Sequence, residues 1–142
     1  MDDFGSFVSH YFRFRFHRDG DVVVAECTQS KLSEEENIES VGHELITLIE
    51  KYGCRQLIVD LNQVLFVTSS MLGKLIRAHR QMHRDNGEMV LIGLTPTVLE
   101  TLDTSRLIDY FNVAADDDEA LEFFDQVSTE TDDDQDSAAA SE

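Results

Sequence analysis

From Tyr11 to Phe16 the chain reads YFRFRF, with aromatic side chains alternating with Arg13 and Arg15. A two-residue period of this kind belongs to a half-exposed strand. His17-Arg18-Asp19-Gly20-Asp21 follows, and its Asp-Gly pair is a tight-turn signal. Val22–Cys27 is then a second apolar run, so the pattern predicts a hairpin. Ile38, Val41, Leu45, Leu48 and Ile49 recur at helical spacing. Ser33 precedes three glutamates and stands as N-cap, with Glu36 placed for a capping box. The first helix is therefore expected from about Glu34 to Tyr52, stopped by Gly53.

Arg55–Leu61 (RQLIVDL) is almost continuously apolar, which predicts a central strand buried on both faces. Val64–Val67 leads to Thr68-Ser69-Ser70, and a second helix begins there. Its predicted apolar face is Leu72, Leu75, Ile76, His79 and Met82, with Asn86-Gly87 as its end. Glu88–Leu94 predicts another buried strand. Pro96 sits early in a third helix, where its missing donor costs little. A short strand is expected within Leu107–Val113. Asp116-Asp117-Asp118-Glu119 then opens a last helix to about Val127, acid at its positive end. The order β-β-α-β-α-β-α-β-α predicts an α/β fold: a mixed, mostly parallel sheet of four to five strands. About four helices pack on it through right-handed crossovers.

Composition sharpens this outline. At 142 residues the chain is one domain's worth, large enough to bury a core without a staple. The net charge of −18 is unevenly spread. Residues 114–142 hold twelve acidic and no basic residues, leaving a balance of −6 for residues 1–113. We expect residues 1–9 to be a flexible lead, 10–127 the folded domain, and 128–142 (STETDDDQDSAAASE) a disordered acidic tail. Such a charge argues against direct nucleic-acid binding and against docking on an anionic membrane. MDDFGSFVSHYF lacks a basic n-region and an apolar core, and no run approaches a membrane span. A cytoplasmic protein is expected. Cys27 and Cys54 lie in or beside apolar runs and read as buried free thiols of a reducing compartment.

The stretch LIVDLNQVLFVTSSMLGKLIRAHRQMHRDNGEMVLIGLTPTVLETLDTSRLIDYFNV (57–113) carries the functional reading. A buried strand ends in Asp60-Leu61; a loop, Ser69-Ser70 and Leu72-Gly73 at a helix start follow. Then come Gly87–Gly93 as turn and strand, and Leu107 through Val113. This layout resembles the STAS domain of bacterial anti-sigma-factor antagonists, over about residues 10–125. Thr68 stands where that family carries Asp, and Met71 where it carries Gly. The resemblance implies a regulatory protein-binding module, not an enzyme, with Ser69 as the phosphorylation candidate. It implies a contact surface of Thr68, Ser69, Ser70, Met71, Leu72 and Lys74, with the third helix beside it, and Met71 offers that surface an adaptable thioether. The implied partner is an anti-sigma factor or a histidine-kinase-like serine kinase, with the chain itself a monomer or weak dimer and no cofactor. Physical chemistry supports Ser69 independently: phosphate at a helix N-terminus meets unpaired N–H groups and adds nearly two charges to a small surface.

Rival readings stay in view. One is a constitutive STAS scaffold in a larger sensory or transport assembly; another is a small-molecule or nucleotide sensor on the same fold. His79 and His83 have the i, i+4 spacing of zinc ligands, but no third ligand is evident and packing is the plainer role. Asp60, Ser69 and His79 do not make a hydrolase triad, because ten helical residues separate Ser69 from His79 by about 15 Å. Neither G-x-x-x-x-G-K-S/T nor G-x-G-x-x-G occurs. Lys74, Arg77, Arg80 and Arg84 give the second helix a basic side, which is either a solvated face or a contact for an acidic partner or the acidic tail.

Overall fold

The computed structural model describes residues 9–32 and 35–127. Strand β1 (Phe12–His17) pairs antiparallel with β2 (Val22–Cys27) through a 3-10 turn, Arg18–Gly20. Two-residue strands β3 (Lys31–Leu32) and β5 (Phe66–Val67) pair parallel in a sheet of their own. Helix α1 is Glu35–Glu50, β4 Gln56–Asp60, α2 Ser69–Arg84, β6 Glu88–Ile92, α3 Pro96–Thr104 and β7 Asn112–Ala114. A fourth helix, α4, covers residues 117–127. The main sheet has order β1-β2-β4-β6-β7, and every pair after the hairpin is parallel. This is the mixed, mostly parallel α/β architecture expected.

The continuous apolar runs are explained by two cores. On one face Val23, Ala25, Leu57, Val59, Met89 and Leu91 meet the inner stripes of α1, α2 and α3. On the other, Val22, Val24, Ile58, Val90, Ile92 and Ala114 meet Ala120 and Phe124 of α4. Successive residues of one strand thus enter opposite cores, so no polar alternation survives.

Two expectations need correction, and the short strand β3 is not among the strands expected. The buried stripe of α2 is Met71, Leu72, Leu75, Ala78 and Met82; Ile76 and His79 are half-buried beside it. Residues 107–111 are not a strand. The Arg106 backbone closes α3 with φ 62, its N–H bonding Asp103 O while the Leu107 N–H bonds Leu102 O. Those paired bonds are a Schellman stop, and Tyr110 and Phe111 then fold back onto Leu107 O. Extended pairing waits until Asn112. Finally, β3 carries no alternating signal because it is two residues long. The proposed cap at Ser33 and the terminal segments 1–8 and 128–142 lie outside the described residues.

Helix α2 ends in a second Schellman stop. Asn86, at φ 65, donates to His83 O at 3.1 Å, and Gly87 donates to Met82 O at 2.8 Å. Asparagine tolerates this left-handed conformation better than most side chains.

Candidate functional site

The segment between β4 and α2 is anchored at each end. Leu61 N–H donates to Ile92 O (3.0 Å), and Leu65 N–H to Ser30 O (2.8 Å). The Thr95 hydroxyl donates to Val64 O (2.8 Å), joining the loop to the start of α3. Helix α2 therefore begins at a defined place beside α3.

Thr68 is the N-cap. Its backbone is extended (φ −95°, ψ 169°), its hydroxyl accepts from Met71 N at 3.3 Å, and its carbonyl accepts from Leu72 N at 3.0 Å. Threonine thus supplies the capping oxygen that aspartate would supply, without the charge. Thr68→Ala is expected to lower stability by about 1 kcal/mol, with Thr68→Asp near neutral, measured by urea denaturation.

Ser69 and Ser70 are the first two helical residues. Both are exposed, and neither side chain makes a hydrogen bond among the described residues. With Met71 N–H and Leu72 N–H taken by Thr68, the backbone N–H groups of Ser69 and Ser70 are the donors left at the helix start. Met71 and Leu72, expected on the contact surface, are instead 1% and 5% exposed and belong to the core. Lys74 lies along Gly42 of α1, and its ammonium pairs with Glu39 at 2.8 Å. The outward surface consists of Ser69, Ser70 and Gly73, with Leu65 (54% exposed) and Leu99 (43%) on the neighbouring loop and α3. Hydrophobic patterning does not single out Leu65 or Leu99, because an apolar residue beside buried neighbours reads as core until its direction is known.

The other chemistry-bearing residues are kept apart. Asp60 is 5% exposed and accepts hydrogen bonds from Arg15 and Asn62. Arg15 also forks onto Asp117 at the start of α4, where His17 lies 2.7 Å from the same carboxylate. The Arg15 hydrogen bond foremost, with His17 adding, holds the Asp117 carboxyl below its ordinary range. Hydrogen bonds from Asn62 and Gln63 do the same for Glu26. This network locks α4 to the sheet on the face away from α2. Ser69, Asp60 and His79 are therefore not assembled into a triad. Cys27 and Cys54 are buried thiols; burial raises both, Cys54 to about 12. Among the described residues no group of three or more metal-ligating side chains occurs.

His79 packs on Tyr110 and Phe111, with ring centroids 5.0 and 5.5 Å away. Burial first, then the neighbouring His83, lowers its pKa from the ordinary 6.5. The unfolded chain then takes up the proton more readily than the folded one. The neutral-His79 contribution is complete above pH 6.5 and is lost as pH falls below it. In urea titrations between roughly pH 7 and 5.5, His79→Phe should show a shallower stability decline than the wild type.

The comparisons with known proteins agree with this geometry. The STAS domain family model matches residues 11–120. The chain is 29% identical over 94 residues to BtrV of Bordetella bronchiseptica, which is named as an anti-sigma factor antagonist; the match covers 66% of this chain and 79% of that protein. A crystal structure of an anti-sigma factor antagonist from Thermotoga maritima superposes with TM-score 0.69 at 19% identity, covering 80% of this chain and 93% of that one. The Bacillus cell-fate determinant SpoIIAA, in its phosphorylated form, superposes with TM-score 0.58 at 20% identity, covering 82% and 98%. No helix among the described residues is long and apolar enough to cross a membrane. With five strands in this order, an exposed hydroxyl pair opening α2, and a family match over 11–120, the chain belongs to the STAS domain family.

Proposed function

We propose that this chain is an anti-sigma-factor antagonist: a cytoplasmic, non-enzymatic protein that binds an anti-sigma factor of the serine-kinase kind. It docks through the start of α2 and the adjoining face of α3, and phosphorylation of Ser69 releases it. The observation that carries this reading is Gly73. It is exposed inside a helix, where glycine costs about 1 kcal/mol relative to alanine, and a Cβ there would meet nothing within 4 Å. Nothing within the described fold calls for its small size, whereas close approach of another molecule's backbone does. Ser69 and Ser70 precede it, and Leu65 and Leu99 flank it with the exposed apolar area a partner buries.

The test uses a purified anti-sigma partner from the same cells. Gly73→Ala should raise the chain's stability by about 0.5–1 kcal/mol yet weaken binding tenfold or more. Leu99→Asp should weaken binding similarly, and Glu122→Ala on α4 should leave it unchanged. Wild-type affinity in both Gly73→Ala and Leu99→Asp would remove the proposed surface. A constitutive scaffold is the second reading, favoured by Thr68 in place of an acid. Its mark is intact mass without a phosphate increment under every growth condition.

A further inference from the structure

Opposite faces of the sheet carry helices of opposite charge. Helix α2 holds four of the chain's eleven Lys and Arg residues (Lys74, Arg77, Arg80 and Arg84) and no acidic one. Residues 117–127 of α4 (DDEALEFFDQV) hold five acidic residues and no basic one. Helix α2 packs with α1 and α3 on one face of the sheet, and α4 covers the other.

On both helices the charge is turned outward. The buried stripe of α2 runs through Met71, Leu75, Ala78 and Met82. With about 3.6 residues per turn, Arg77, Arg80 and Arg84 lie on the opposite side of that helix, and all three are exposed. In α4, Ala120 and Phe124 face the sheet; Asp118 and Glu122 lie opposite them and are also exposed. Lys74 is held by Glu39, Asp117 by Arg15 and His17, and Asp125 by Arg18. Arg84 donates to Gln81. Among the described residues, Arg77, Arg80, Asp118 and Glu122 have no ion-pair partner. The helix dipole favours acid in the first turn of α4 and base in the last turn of α2. It accounts for Asp118 and Arg84, but not for Glu122, which lies beyond the first turn, nor for Arg77 and Arg80, which precede the last.

We propose that α2 of one copy docks on α4 of the next, with Arg77, Arg80 and Arg84 against Asp118 and Glu122, so that the chain assembles head to tail with itself. The charge pattern selects this arrangement over the symmetric ones. Two α2 helices face to face would set arginine against arginine, and two α4 helices would set carboxylate against carboxylate. The run from Arg77 to Arg84 spans about 10 Å, within the roughly 16 Å of α4. Because the two patches differ, each pairing leaves one of each kind free, and copies add in a row unless the rotation closes a ring. Exposed ion pairs are individually weak and screened by salt, so the assembly forms at high concentration and low ionic strength. The contact uses neither Ser69 nor Leu99, so it stands apart from the partner surface proposed above.

Sedimentation equilibrium of the full-length chain tests this. In about 25 mM salt the weight-average mass should rise from the 16.1 kDa monomer at micromolar concentration to at least about 1.5-fold that value at about 1 mM. In about 0.5 M salt, where the Debye length is about 4 Å, it should stay at the monomer. Arg77→Glu/Arg80→Glu and Asp118→Lys/Glu122→Lys should each be monomeric alone in low salt. Their equimolar mixture should associate again, because each reversed helix then meets a reversed complement. Should a reversal lower the melting temperature, the neutral Asp118→Asn/Glu122→Gln, which adds no cation at the helix start, should still be monomeric. A wild-type chain that stays monomeric in low salt overturns the proposal. So does association that persists in high salt, a reversed variant that associates alone, or a mixture that does not associate.

Discussion

Ser69→Asp is expected to reduce affinity for the anti-sigma partner at least tenfold while shifting the melting temperature by no more than about 2 °C. The two halves of this expectation have separate causes. Ser69 is the first residue of α2, not its cap, so its hydroxyl is not needed to hold the helix. A negative charge there faces two unsatisfied N–H groups and the positive end of the helix dipole, an arrangement worth about 0.3–1 kcal/mol in favour of the fold. The same charge lies on the exposed helix start beside Ser70 that is proposed as the docking surface, and docking there would have to desolvate it. Ser69→Ala removes no capping contact and should bind like wild type. Affinity measured by calorimetry for the three proteins, with thermal melts alongside, decides the matter; equal affinity in all three would falsify the switch.

Gly93→Ala should destabilise the domain by about 3 kcal/mol, seen as a lower urea midpoint with unchanged slope. Gly93 follows β6 with φ +66°, a conformation that costs alanine about 1 kcal/mol or more. Its Cβ would also lie 2.7 Å from Asp60 Oδ1 and 3.0 Å from Asn62 Cβ. Asp60 cannot yield cheaply. It is buried and holds Arg15 Nη2 at 3.0 Å, Asn62 N at 3.0 Å and Asn62 Nδ2 at 2.7 Å. Overpacking of this kind adds about 1–3 kcal/mol. The contrast with Gly73, where alanine is expected to stabilise, separates a glycine required by the fold from one left open to the outside.

What the sequence determined by itself follows from short-range physics. Apolar runs in β2, β4 and β6 and the helical period of α1 are local patterns, and they set the element order and the mixed sheet. Asn86-Gly87 and Pro96 mark helix ends because their backbone preferences act within a few residues. Thr68-Ser69-Ser70 before a helical pattern was enough to locate an exposed hydroxyl at a helix start. Tertiary structure decided the rest, because direction depends on packing partners far away in the chain. It turned Met71 and Leu72 inward, since the stripe of α2 facing α1 and the sheet passes through residues 71, 75, 78 and 82. Lys74 was drawn to Glu39 in the same way, and the side chain of Leu65 was left outside because its own N–H is tied to Ser30 and the preceding Val64 carbonyl to Thr95. Periodicity says that a helix has an inner face; only the assembled layers say which residues lie on it.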